Sequence, residues 1–122
     1  IKHTTETHTY EHSAKEIEIG ENLNRYRNSK NLSSLVLVEN ISYICNEHNL
    51  YMISVNKLTH EGFQERQNKL GVSIMGENLA RNVDNPITAW ENSIPHKANM
   101  ESDYTHYGIA EKDGYVTLIM IK

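Results

Sequence analysis

Two pairs of side chains have the types and spacing that nucleophilic or metal chemistry uses. Ser93 and His96 are three residues apart, as a nucleophile and its base could be, and His8 and His12 are four apart, as two metal ligands on one helix could be. A catalytic triad depends on spatial geometry that spacing does not predict, and two histidines without a third ligand bind a metal weakly. For both pairs the sequence favours an ordinary capping or surface role.

Several familiar catalytic strings are missing from the sequence. It has no glycine-rich phosphate loop and no G-x-S-x-G elbow, and His60-Glu61 lacks the second histidine of a zinc-protease helix. Three chemically capable residues remain, and they are scattered: His60, Glu77 in the string Gly-Glu-Asn-Leu-Ala, and His96 in the string Trp-x-x-Ser-x-x-His. Only a fold could bring them together.

The composition describes one domain without a strongly charged surface. The 122 residues carry 12 Lys and Arg against 16 Asp and Glu, a net charge of −4, which argues against nucleic acid or an anionic membrane as the main partner. No apolar run approaches the roughly 20 residues that span a bilayer. The single cysteine, Cys45, excludes an internal disulfide and a cysteine-rich zinc site, so packing must stabilise the core.

The predicted domain organisation is a flexible leader, residues 1–12, followed by one domain, residues 13–122. The leader is polar and holds three of the seven histidines. Ser13 and Glu16 form a capping box, in which each side chain bonds a backbone N–H of the other, so the first helix is predicted to start there.

Apolar periodicity predicts two long helices and two short ones. The strongest stripe covers about four turns and consists of Ile41, Ile44, Cys45, His48, Met52 and Val55. A partial stripe through residues 14–28 consists of Ile17, Leu23 and Tyr26. Short helices are predicted over residues 62–70, with Arg66 on the side of Phe63 and Leu70, and from Pro86 onwards. Cys45, His48 and Trp90 are interpreted as core residues rather than as functional ones.

The end of the chain changes to the period of a β-strand. Residues 107–109 and 115–121 alternate around Asp113-Gly114, a strong hairpin signal. Helices come first and strands last, so the predicted class is α+β, with helices packed on an antiparallel sheet.

The strings around Glu77 and His96, with His60 before them, resemble the CAP superfamily, also called SCP-like domains, in the compact form found in bacteria. Asn24-x-x-Arg27 and Tyr107-Gly108-Ile109 agree with it further, and the resemblance covers roughly residues 18–121. It implies an α-β-α sandwich, with helices on both sides of a small antiparallel sheet and a central cleft holding two histidines and two glutamates. The single cysteine suits the disulfide-poor bacterial branch.

The resemblance also implies which residues line that cleft. His60 and His96 match the cleft histidines, which bind zinc or another divalent cation in some members, and Glu77 matches one glutamate. The second glutamate has no counterpart, since Glu91 would fit only if its string were shifted. Zinc at His60 and His96 is therefore one expectation, and a metal-free polar cleft is the alternative.

Three functions follow as expectations. The first is a secreted or surface-anchored binding module whose partner is an extracellular protein or a lipid or sterol, tethered through the leader to a lipid anchor upstream of Ile1. The second is a metal-dependent hydrolase with Glu77 as base toward a bound water. The third is a purely structural or adhesive surface protein.

Overall fold

The computed structural model describes residues 7–122, which form five helices and four strands. In chain order these are α1 (Ala14–Ser29), β1 (Val36–Leu37), α2 (Glu39–Val55), α3 (Phe63–Leu70), β2 (Met75–Arg81), α4 (Pro86–Glu91), α5 (Ile94–Met100), β3 (His106–Lys112) and β4 (Tyr115–Ile121). Within residues 7–122 no helix has the length and apolar character needed to cross a membrane.

The four strands form one mixed sheet in the order β1-β3-β4-β2. Strand β4 is antiparallel to both of its neighbours, β3 and β2. The β3–β4 hairpin is the pair that the sequence predicts, and β2 is a strand that it does not indicate. The two-residue strand β1 adds a parallel pairing with β3 that the sequence does not indicate, held by the Val36 and Val38 amides on the carbonyls of Thr105 and Tyr107. The helices α2 and α3 cover one face and α1, α4 and α5 the other, so the predicted α+β sandwich is confirmed.

Alternate residues of the strands supply two separate apolar cores. Along β4, Val116, Leu118 and Met120 face the core shared with α1, α4 and α5. Ile119, together with Ala110 of β3, faces the core shared with α2 and α3. The predicted alternation along residues 115–121 is therefore not the burial pattern of β4: Tyr115 to Met120 are all buried, and the run is apolar except for Thr117.

Two local structures predicted from the sequence are confirmed, a helix cap near the start of the domain and a hairpin turn near its end. Ser13 caps α1, its hydroxyl accepting the Glu16 amide while the Glu16 carboxylate accepts the Ser13 amide. Asp113 and Gly114 both have positive φ, 50° and 86°, the backbone required by a two-residue hairpin of the primed type. The hairpin sets the register of β3 and β4, and through β4 that of β2.

Two apolar residues assigned to helix stripes lie at the surface instead. Ile17 is 45% exposed, and the buried stripe of α1 runs through Ile19, Leu23 and Tyr26. The buried position in the first turn is taken by Glu16, whose carboxylate also accepts the Glu111 amide of β3. Val55 is 43% exposed because α2 ends there, at the left-handed residue Asn56.

The predicted leader lies partly outside the described residues. Of the part that is described, residues 8–12 lie against α2: the amides of His8 and Tyr10 bond the side chains of Asn40 and Glu39. His8 also stacks on Tyr43, with ring centroids 3.9 Å apart. The boundary between leader and domain stays a prediction.

Candidate functional site

His60 lies in the turn between α2 and α3, at the surface. The turn follows from two left-handed positions, Asn56 at the end of α2 and Gly62 at the start of α3. The imidazole is 54% exposed, and its Nδ1 lies 2.8 Å from Oε1 of Glu77. A carboxylate can only accept this hydrogen bond, so Nδ1 carries the proton and, in the neutral ring, Nε2 keeps its lone pair.

Glu77 lies in the middle of β2, opposite Ile119 of β4, and its carboxylate is fully buried. Arg66 of α3 grips both oxygens, with Nε 2.7 Å from Oε2 and Nη2 2.8 Å from Oε1. The two-pronged geometry of guanidinium and carboxylate is the strongest form of such a bond. With the bond from His60, the carboxylate accepts three hydrogen bonds and faces no solvent.

His48 of α2 is the fourth side chain of this hydrogen-bonded cluster, with His60, Glu77 and Arg66. Nη1 of Arg66 lies 2.9 Å from its Nδ1, and its Nε2 lies 2.6 Å from the carbonyl oxygen of Thr59. A guanidinium only donates, so Nδ1 accepts and Nε2 carries the proton. The predicted role of His48 as a core residue with both ring nitrogens satisfied is confirmed.

His96 lies in the first turn of α5, where Nδ1 is 2.8 Å from Oγ of Ser93. Ser93 occupies the N-cap position of α5, but its hydroxyl makes no capping bond, so the predicted capping role is wrong: the hydroxyl is engaged by the ring. Among the described residues no carboxylate hydrogen-bonds the other nitrogen of His96, so the pair lacks the orienting group of a triad.

Two of the three predicted site residues are in direct contact, and the third adjoins β2 through its main chain. His60 bonds Glu77, and the next residue, Asn78, donates to the main-chain oxygen of His96 at 3.0 Å. Burial lowers the pKa of His96, and the nearby imidazole of His60 lowers it further. Asn99 of α5 donates to Asn78 Oδ1 at 2.9 Å and closes this polar contact.

This donor set does not fit a firmly held zinc ion. Within residues 7–122 no three His, Cys, Asp or Glu side chains are grouped as metal ligands. Both Glu77 oxygens are occupied, which leaves at most one nitrogen each from His60 and His96, whereas a catalytic zinc site usually has three protein ligands. Assignment of His60 and His96 as metal ligands stays a prediction.

Three other residues considered from the sequence make no hydrogen bond to the side chains of His60, Glu77 or His96 among the hydrogen bonds of the described residues. Glu91 lines a groove between α1 and α4 with Asn22 and Arg25. Cys45 is fully buried, and that burial raises the pKa of its thiol, which suits a core residue and not a nucleophile. Trp90 is 2% exposed and donates to the carbonyl oxygen of Leu79, so its predicted core role is confirmed.

A groove of about 340 Å³ opens between α2 and α3, beside Arg66. Five of its nine lining residues are of charged types: Glu47, Glu61, Glu65, Arg66 and Lys69. Ile44, the ring of Tyr51 and the carbon stems of the charged side chains make more of the lining apolar than polar. Several of the charges already have partners within the protein, since Arg66 pairs with Glu77 and Lys69 lies 3.6 Å from Glu47.

Sequence reasoning missed Arg66 as a site residue. It assigned the residue to the same side of α3 as Leu70, and both are buried, at 8% and 5% exposure. A charge on the buried side of a short helix needs a partner, which was the available signal. Apolar periodicity does not show which carboxylate is that partner, because the answer depends on how α3 packs against β2.

Stability should depend on pH through His48. Burial, and next the charge of Arg66, lower its pKa, while His60 and Glu77 act more weakly in opposite directions. The pKa of an unfolded His is about 6.5, so a lowered pKa in the folded protein means that folding favours the neutral ring. The stabilisation that His48 contributes is therefore complete above that pH and is lost as the pH falls toward the lower pKa of the folded protein. We expect urea unfolding to show less stability at pH 5 than at pH 7. His48→Gln should flatten this slope without abolishing it, because the pKa of His96 is also lowered. Parallel curves for the two proteins would contradict the assignment.

Comparison with known proteins identifies the fold. The sequence matches no family model and no curated protein. An extracellular protein of Bacillus anthracis that contains an SCP domain superimposes with a TM-score of 0.81 and 24% identity, over 88% of this chain and 40% of that one. A cysteine-rich secretory protein of Staphylococcus aureus gives 0.80 and 20%, over 97% of this chain and 42% of that one.

An outer surface protein of Borrelia burgdorferi is similar over its whole length. The TM-score is 0.83 at 18% identity, and the match covers 96% of this chain and 98% of that chain. This chain thus spans about two fifths of the Bacillus and Staphylococcus chains but nearly all of the Borrelia chain. The chain is therefore a compact domain with the SCP, or CAP-like, fold that the two sequence strings predict.

Proposed function

We propose that this chain is an extracellular or cell-surface binding module that acts through a protein partner and not through turnover. Its structural neighbours are described as extracellular, secretory or outer-surface proteins, which supports the location. The observation that carries the rest is the state of Glu77, whose carboxylate is fully buried and accepts three hydrogen bonds from Arg66 and His60. A membrane tether through a lipid anchor upstream of Ile1 belongs to the same proposal.

The burial and pairing of the Glu77 carboxylate argue against the hydrolase alternative. A general base needs a free lone pair within hydrogen-bond reach of the water that it activates. Both oxygens of Glu77 accept hydrogen bonds, and the side chain has no exposed surface. The exposed polar group that remains is the imidazole of His60, which can exchange hydrogen bonds with a partner.

A protein partner fits the surface better than a sterol or fatty acid. Five of the nine residues that line the groove beside Arg66 are of charged types, and a wholly apolar ligand seated there would remove water from their charged groups. Ile94, two residues before His96, is 86% exposed and gives an accessible position from which a partner at this site can be trapped.

Site-specific photocrosslinking on the cells that produce the protein tests the proposal. With a photoreactive residue at Ile94, two residues before His96, we expect a discrete protein adduct that disappears in the His60→Ala/His96→Ala variant. The same residue at Val36, which is 58% exposed on β1, is the matched control and should give no such adduct. Adducts that do not depend on the two histidines would support the purely adhesive alternative.

Two further measurements test the excluded activities. Casein with added zinc should not be cleaved above background by the wild type or by Glu77→Gln. Vesicles of phosphatidylcholine and cholesterol should float without the protein. Zinc-dependent cleavage that is lost in Glu77→Gln would establish the hydrolase instead, and co-flotation would establish a lipid ligand.

The surface location has its own test. Removal of the domain from intact cells by added protease would support the surface location, and full protection would overturn it.

A further inference from the structure

The guanidinium of Arg66 hydrogen-bonds four residues of the site: His48, His60, Glu61 and Glu77. Arg66 has five N–H groups, and each lies within hydrogen-bond distance of an acceptor. Nε and one Nη2 proton bond the two oxygens of Glu77, as described above. The other Nη2 proton bonds the carbonyl oxygen of His60 at 3.1 Å, and the two on Nη1 bond the carbonyl oxygen of Glu61 at 2.8 Å and Nδ1 of His48 at 2.9 Å.

These contacts fix His60 at two places at once. The carbonyl bond holds its main chain, and the Glu77 carboxylate, itself held by Arg66, holds the ring through Nδ1. Gly62 leaves room for the guanidinium, since a Cβ at that position would lie 3.0 Å from Nη1. With φ at 85°, Gly62 also has a backbone that other residues rarely adopt.

The chemistry of the acceptors dictates which ring nitrogen carries each proton. Nδ1 of His48 accepts from Arg66, so the proton of its neutral ring is on Nε2, which donates to Thr59. Nδ1 of His60 donates to Glu77, so the proton of its neutral ring is on Nδ1. One arginine therefore sets two histidines in opposite tautomers.

We propose that Arg66 is the positioning residue of this site, which holds His60 as the Nδ1–H tautomer with the Nε2 lone pair turned to solvent. His60 then presents a hydrogen-bond acceptor, and it recognises a donor on the partner, such as an amide, hydroxyl or ammonium group. The inference rests on the proposed function only for the identity of His60 as the contacting residue.

Lysine cannot perform this role. Its ammonium has three donors at one point, whereas the five acceptors around Arg66 require the planar fork of the guanidinium. Arg66→Lys keeps the charge and removes the geometry, so it separates positioning from simple neutralisation of Glu77.

The test is the tautomer of each histidine, read from long-range ¹H–¹⁵N correlation spectra at pH 8. In the wild type we expect His60 to be Nδ1–H and His48 Nε2–H, each favoured by about tenfold or more, as a hydrogen bond to a charged group implies. In Arg66→Lys the Nδ1–H share of His60 should fall, because the carboxylate that accepts its proton is no longer held in place. The tautomer of His48 should change less, because the Thr59 carbonyl still accepts from its Nε2. His106 in β3, whose ring bonds Thr105, is the internal control and should not change.

The wild-type spectrum alone can overturn the proposal, whether or not Arg66→Lys folds. A predominant Nε2–H form of His60, or unchanged tautomers in a folded Arg66→Lys protein, would do so. The measurement involves no partner, so a negative crosslinking result would contradict the proposed function while leaving the positioning role of Arg66 standing.

Discussion

Replacing Glu77 with alanine is expected to lower the free energy of unfolding by about 3–5 kcal/mol, the cost of leaving one member of a buried ion pair uncompensated. Arg66 would keep its charge at 8% exposure and lose both carboxylate bonds, and Nδ1 of His60 would lose its acceptor. Urea denaturation at pH 7 measures the loss. Glu61→Ala is the matched control: its exposed side chain accepts only the Tyr51 hydroxyl among the hydrogen bonds described, and its main-chain bond from Arg66 is kept in alanine, so a loss below about 1 kcal/mol is expected there.

The double variant Arg66→Met/Glu77→Leu tests whether the Arg66–Glu77 ion pair itself stabilises the fold. Buried ion pairs replaced together by apolar residues of similar volume are often neutral in stability or better. We therefore expect the double variant to be more stable than Glu77→Ala, although it removes more polar contacts. If the double variant is the less stable protein, the ion pair itself stabilises the fold. A loss below about 1 kcal/mol in Glu77→Ala would show that Arg66 finds other partners or water.

The parts of the fold that depend on local signals were predictable from the sequence. The capping box at Ser13, the left-handed pair Asp113-Gly114 and the buried stripe of α2 all rest on residues within a few positions of each other. The assignment of Ile17 to the core was wrong because a helix stripe read in isolation does not show which side the sheet covers. Glu16 is buried there because β3 offers the Glu111 amide, a partner 95 residues away.

The chemistry of the candidate site was not predictable from the sequence. The resemblance assigned His60, Glu77 and His96 to one cleft, and the structure joins His60 to Glu77, but the state of Glu77 depends on Arg66, which belongs to another helix. The sequence suggested Glu77 as a base or a ligand, and burial under a guanidinium makes it a structural anchor for His60 instead. The contact between Glu77 and Arg66 results from tertiary packing, and residue spacing along the chain does not predict it.

The position of α2 on the sheet depends on Gly108. In β3 this glycine faces α2, and a Cβ built on it would lie 2.4 Å from the Ser42 amide nitrogen and 2.5 Å from the Ile41 carbonyl carbon. Both atoms belong to the helix backbone, which cannot give way without moving α2. The close approach also lets the Ser42 hydroxyl accept the Ile109 amide at 2.9 Å. Gly108→Ala is therefore expected to lower the free energy of unfolding by about 3 kcal/mol, at the upper end of overpacking costs.

Gly76→Ala in β2 is the matched control, because the clash there has a different character. Its Cβ would lie 2.3 Å from the hydroxyl and 3.0 Å from Cζ of the buried Tyr104 ring, so relief there requires movement of a side chain and not of a helix backbone. Alanine also reduces the freedom of the unfolded chain, which offsets part of the cost, so a loss of about 1–2 kcal/mol, smaller than that of Gly108→Ala, is expected in thermal and urea unfolding. Since α2 carries His48, a shift of this helix in Gly108→Ala should also disturb the His48–Arg66 bond and lower the Nε2–H share of His48. Equal losses in the two variants would mean that α2 is free to adjust on the sheet and does not hold the site in register.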